Sequence, residues 1–178
     1  MNKIRRFAVA GSIAALVAAC APPTAADVCL MADAPHIENT LTISQNSIVE
    51  THSGVLVLDG YDGPTELRFH AELRNVLPDD ETGRAFSNWR LDFTMVAGQA
   101  PSPGAVLHLG RDFEIDTAEA NIGWSGYPNS LSVEHPSGDM TLTVGTDGSW
   151  ILNGRACAAP DANNPFPAFV QADHYRVQ

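Results

Sequence analysis

Residues 65–76 alternate between apolar and polar, and that two-residue period is what most limits the fold. Leu67, Phe69, Ala71 and Leu73 fall on one side, while Glu66, Arg68, His70, Glu72 and Arg74 fall on the other. Successive side chains of a strand point to opposite faces, so the segment reads as an antiparallel strand with one buried and one wet face. Residues 88–97 repeat the pattern, with Trp89, Leu91, Phe93 and Met95 on the core side. Shorter runs at 40–44, 54–58, 105–109, 113–115, 130–135, 140–144 and 149–156 have strand character. Pro136-Ser137-Gly138-Asp139 reads as a hairpin between two of these runs, and Gly145-Thr146-Asp147-Gly148 as the turn before the last. Residues 168–177 read as a final strand or a docking tail. Helical periodicity is almost absent. Only residues 116–121, where Asp116 precedes Glu119 as in a capping box, hint at a helical turn. Eight or nine short strands separated by turn signals predict an all-β fold, either a single antiparallel β-sandwich or a small β-barrel.

The N-terminus belongs to a different regime. Lys3, Arg5 and Arg6 precede an uncharged apolar run over residues 7–19, which closes as Leu16-Val17-Ala18-Ala19-Cys20. The run is shorter than the ~20 residues of a bilayer-spanning helix and reads as the apolar region of an export signal. The segment resembles the signal and lipobox of bacterial lipoproteins. The resemblance implies cleavage before Cys20, a diacylglycerol on its thiol, and an acyl chain such as palmitate on its new amine. More than one chain makes such anchoring stable. Ala21, where an Asp would favour inner-membrane retention, implies the outer membrane facing the periplasm. The alternative is ordinary secretory cleavage after Thr24-Ala25-Ala26, which discards Cys20. The chain thus divides into a signal, 1–19, a lipidated tether, 20–28, and one all-β domain, 29–178, with a C-terminal tail over 158–178. The resemblance covers only the first 20 or so residues and implies no activity.

Removing the signal leaves seven basic residues, all Arg, against 21 acidic ones. Such a surface repels phosphate backbones, which excludes nucleic acid as a partner, and it disfavours adsorption to anionic lipid. With Cys20 taken by lipid, Cys29 and Cys157 are an even pair in an oxidising compartment, which predicts a disulfide joining the first strand region to the last.

The candidate sites are few. Gly123-Trp124-Ser125-Gly126-Tyr127-Pro128 presents two aromatic residues in a loop. Trp124, Tyr127 and the nearby Asn129 are the candidate ligand contacts, for a glycan or a peptide; the alternative is that Trp124 caps the core. Ser125 lacks the second Gly and the strand–helix setting of a hydrolase elbow, and no catalytic residue is assigned. Asp112, Glu114 and Asp116 alternate on a predicted strand and are the calcium candidates, with Arg111 directed to the opposite face. Asp59-Gly60-Tyr61-Asp62-Gly63 and the loop 78–83 read as solvated acidic turns. The six His are scattered without the spacing of a metal centre, and no motif calls for a cofactor. The expected function is a non-enzymatic binding or assembly module of the cell envelope, partnered by the membrane through its lipid and by an envelope protein, peptide or glycan. The alternatives are a periplasmic enzyme or enzyme inhibitor, which needs titratable groups converging in a pocket, and a small-ligand carrier with a barrel cavity.

Overall fold

The computed structural model describes residues 21–32, 34–62, 67–76, 85–96, 100–124, 127–162 and 164–178, with side chains described outside 59–86 and 123–129. The fold is all-β, with two antiparallel sheets that do not close into a barrel and one short helix. The elements are α1 (Ala25–Met31), β1 (Thr40–Gln45), β2 (Ile48–His52), β3 (Val57–Asp62), β4 (Leu67–Val76), β5 (Ala85–Met95), β6 (Val106–His108), β7 (Phe113–Trp124), β8 (Tyr127–Glu134), β9 (Ser137–Val144), β10 (Trp150–Ala158) and β11 (Ala168–Val177). One sheet runs β2-β1-β11-β10-β9-β6 and the other β3-β4-β5-β7-β8.

The inner faces follow from the alternation. Trp89, Leu91, Phe93 and Met95 are buried in a row on β5, and Leu41 and Ile43 on β1. Phe93 joins the two sheets: its ring lies 6.3 Å from Phe113 in its own sheet and 6.3 Å from Trp150 in the other. The β4 strand forms as the sequence predicts, while its side chains lie outside the described residues, as do the loop 78–83 and Gly63 of the acidic turn.

Three local expectations are corrected and one open choice is decided. Residues 116–121 are strand, because β7 is hydrogen-bonded to β5 on one side and β8 on the other; pairing on both edges outweighs one turn of helix propensity. Phe93 faces Ile115 while Asp92 faces Thr117, so Asp116 is the extra residue of a β-bulge. The runs 130–135 and 140–144 do not form a hairpin, since β8 and β9 belong to different sheets. The chain crosses between them at His135, which has φ 44°, and the buried Pro136. Of the two readings of residues 168–177, the strand is the one found: β11 sits between β1 and β10, paired to both. Lastly, residues 25–28, read as tether, begin α1. Thr24 caps it, donating its backbone N–H to the Asp27 carboxylate (2.9 Å) and accepting the Asp27 N–H (3.2 Å) on its hydroxyl.

The predicted disulfide is present, with different anchor points. Cys29 lies on α1 and Cys157 on β10, one strand short of the last, with Cα atoms 5.6 Å apart across a separation of 128 residues. Cys157 and Phe169, with Val28 and Ala34, form a second small core on the outer face of the six-stranded sheet. Arg155 closes it. Its Nη1 donates to the carbonyls of Ala32 (2.6 Å) and Cys29 (3.3 Å), which α1 leaves unpaired at its C-terminal end. Its Nε donates to Gln171 Oε1 (2.8 Å), and its guanidinium stands 5.4 Å from the centre of the Phe169 ring.

Opposite this clamp, β10 approaches β9 too closely for any side chain but hydrogen at Gly154. Its φ is +118°, and an added Cβ would meet the Asp139 carbonyl oxygen at 2.1 Å. Gly154→Ala is therefore expected to cost about 2–4 kcal/mol, from backbone strain and overpacking together, read by chemical denaturation. Cys29→Ser is expected to cost about 2–5 kcal/mol and to make Cys157 reactive toward thiol reagents under native conditions. An unchanged midpoint with an inert Cys157 would show that the clamp holds without its covalent bond.

Candidate functional site

Two of the three calcium candidates, Asp112 and Asp116, are engaged by neighbouring protein groups, while Glu114 is exposed on β7. Asp112 ends a tight turn in which its N–H and that of Arg111 both reach the His108 carbonyl. In that turn Arg111 does not point away, as the strand reading expects. It binds the Asp112 carboxylate through Nε (3.0 Å) and Nη2 (2.7 Å). This ion pair and the His108 N–H hold the Asp112 carboxyl below its ordinary pKa. Asp116, on the bulge, accepts a hydrogen bond from Thr94 (2.7 Å). Among the described residues, no three His, Cys, Asp or Glu side chains are placed to hold a metal ion.

The aromatic candidates lie at a hairpin end. Trp124 and Tyr127 are the last paired residues of β7 and β8, and Asn129 pairs with Ile122, so the expected loop is strand on both sides. The side chains of Trp124, Tyr127 and Asn129 lie outside the described residues, as do Ser125 and Cys20. Trp89 and Trp150 are core, as their strand positions predict.

Three histidines acquire partners that spacing does not reveal. Asp173 follows Gln171 on the outer face of β11, just before a bulge with His174 at φ 48°, and lies beside the segment that follows α1. There His36 Nδ1 lies 2.7 Å from Asp173 Oδ1, and Gln171 Nε2 donates to Asp173 Oδ2 at 2.9 Å. Burial works to raise the Asp173 pKa, but the hydrogen bonds from His36 and Gln171 outweigh it and hold the carboxyl low. His174 and Glu38 form an exposed pair at 3.4 Å on the same hollow, about 340 Å³ in volume. The His36 side chain is 77% exposed, and among the described residues no Ser, Thr or Cys lines the hollow to act as nucleophile. Its structural work is plain: it fastens the segment after α1 to the bulge.

The third histidine, His52, ends β2 against the core. Its Nδ1 lies 2.6 Å from the Tyr175 hydroxyl, and its ring centre is 5.3 Å from that of Trp89. Burial lowers the His52 pKa and pushes the Tyr175 phenol above its ordinary range.

A second hollow, of about 450 Å³, is one that sequence reasoning missed. The β1–β2 turn supplies Gln45, Asn46 and Ile48, β8 supplies Ser130, Leu131, Ser132 and Glu134, and the segment before β11 supplies Asn164, Pro165 and Phe166. Gln45 ties the three together, donating from Nε2 to Asn164 Oδ1 (3.0 Å) and accepting the Ser132 N–H on Oε1 (3.3 Å). The signal in the sequence is faint: only Asn46-Ser47, a turn dipeptide between two strand runs, marks the place.

No family model, curated protein or solved structure matches this chain. The reading of its function therefore rests on the residues and their geometry.

The burial of His52 has a measurable consequence. Its pKa is lower folded than unfolded, so the unfolded chain takes up the proton first as pH falls. The stabilising effect is complete above about pH 6.5, the ordinary imidazole value, and declines as pH falls toward the lower folded value. Melting curves from pH 7.5 to 5 are expected to show His52→Gln losing less stability on acidification than the native chain. Parallel curves would show that the imidazole is not protected by its packing.

Proposed function

We propose that the chain is a lipid-anchored protein of the bacterial envelope, acting as a non-enzymatic binding module on a rigid β-sandwich. The observation that carries this reading is the Cys29–Cys157 bridge just downstream of the lipobox. A disulfide suits an oxidising compartment, which agrees with the export that residues 1–19 would signal. The bridge also makes mechanical sense of an anchor. Any pull on Cys20 passes through α1 and then covalently into β10, in the middle of a sheet, instead of peeling an edge strand.

The start of α1 at Ala25 shortens the free tether to a few residues after Cys20, with a reach of about 15 Å when extended. The domain would thus stand close to the bilayer. Leu30 and Met31, at the end of α1, are 86% and 66% exposed, which suits a surface next to lipid acyl chains and headgroups more than one in open water. Ala21 favours the outer membrane within this reading. Binding, as opposed to catalysis, is supported by what the hollows offer: amides and hydroxyls in one, and in the other a His–carboxylate pair without a nucleophile. Sheets that do not close into a barrel count against a carrier that needs a barrel cavity.

Cys20→Ser tests the anchor. The native protein is expected to take up labelled palmitate and to fractionate with membranes. The variant is expected to lose both, while its sandwich keeps the same melting temperature once freed of the signal. A variant that still pellets and labels as before would refute the lipid on Cys20.

A further inference from the structure

We propose that the hollow bounded by Gln45, Asn46, Ser132, Asn164 and Phe166 binds a neutral saccharide. The inference deepens the binding-module reading by naming its ligand class, and it rests on that reading only for the claim that the domain works by contact.

The chemistry of the lining selects the ligand. Amides and hydroxyls dominate, Glu134 is the lone charged group among the lining residues, and no cation is present to hold an anion. Phe166 and Ile48 expose apolar surface beside these groups, at 42% and 43%. A sugar ring is amphipathic in the same way: its C–H faces suit the negative face of an aromatic ring, and its hydroxyl rim exchanges hydrogen bonds with amides. A volume of about 450 Å³ falls within the usual range of small-ligand sites, where a few placed polar groups set orientation.

The site is also built in advance. Asn164 Oδ1 accepts from Gln45 and from the Phe166 N–H (3.4 Å), while the Asn164 N–H is tied to Asp161 (2.7 Å). With its oxygen engaged, what Asn164 offers a ligand is its NH₂. Asn46 and Ser47 both hold positive φ, 51° and 66°, a region that costs Ser energy. The Asn46 N–H is pinned to the Pro167 carbonyl (3.3 Å), which joins the turn to the segment carrying Phe166.

A peptide added as a strand is the competing ligand, because β8 is the edge of its sheet. Gln45 argues against it. Its Oε1 already accepts the outward Ser132 N–H, in the place where an added strand's carbonyl would sit.

The test titrates the mature, ¹⁵N-labelled protein in detergent micelles with tri-N-acetylglucosamine and maltotriose, and separately with inorganic phosphate and an extended peptide. Saturable shifts of the amides of residues 45–48, 130–134 and 164–166 with a saccharide are expected, and none there with phosphate or peptide. Phe166→Ala removes an exposed ring, and Asn46→Gly removes an amide at a position where Gly is at ease. Each is expected to weaken binding about tenfold, near 1.4 kcal/mol, with an unchanged melting temperature. The proposal fails if neither saccharide shifts those amides, if peptide or phosphate binds there instead, or if both variants bind like the native protein. A failure of the anchor reading shows separately: Cys20→Ser would fractionate as before while saccharide binding stayed intact.

Discussion

Phe93 is the contact on which the architecture turns. A sheet of β-strands is apolar on one face and must cover it, and here each sheet covers the other. Phe93 reaches from the five-stranded sheet to Trp150 on β10 and packs edge-on against Phe113 within its own sheet. The strand that receives it has two duties. The inward residues of β10, Leu152 and Ala156, join the main core, while its outward residues, Arg155 and Cys157, hold α1. Both faces of one strand are thus spoken for, and at Gly154 the β9 backbone comes close enough that only a hydrogen fits.

The fold class was legible in the sequence wherever a strand had one wet face. On β5 the alternation named every buried residue from Trp89 to Met95. It failed where the period broke. The bulge at Asp116 slips β7 by one residue, so that Phe113 and Ile115 face inward and then Ala118 and Ala120 do. The helix-favouring run Ala118-Glu119-Ala120 gave no sign of a strand. Pro136 misled for another reason: turn chemistry shows that a chain changes direction, not which sheet it enters next. The start of α1 was readable. Thr24-Ala25-Ala26-Asp27 carries a capping pair at the right spacing, but the same small residues also fit a cleavage site.

The sites were less legible than the fold, and for a physical reason. Asp173 and His36 meet across 137 positions, and Gln45 meets Asn164 across 119. Neither pair belongs to a local motif, and each depends on β11 lying between β1 and β10. Since residues 168–177 carry little alternation, both of their faces being buried, the sequence left that strand undecided. Everything assembled on it was therefore hidden. The disulfide was an exception because an even cysteine count, with an oxidising compartment expected from the N-terminus, proposes a pairing without any knowledge of the sheet order.

That same strand links anchor to hollow. Cys157 pairs with Phe169, Phe169 with Ser44, and the next rung sets Ala158, Ala168 and Gln45 in line. Neighbouring strands are about 4.8 Å apart, so the clamp on α1 and the residue that organises the hollow are separated by about 10 Å of continuous ladder. A ladder paired on both sides does not bend as a loop does. A ligand seated beside Gln45 would therefore be held at a nearly fixed position relative to α1. If Cys20 carries the proposed lipid, the short tether would also keep that ligand near the membrane surface, and the proposed site would favour ligands fixed there. A weak saccharide contact that would go unused in free solution would then become effective, because a tether shared with the ligand's membrane raises their local concentration.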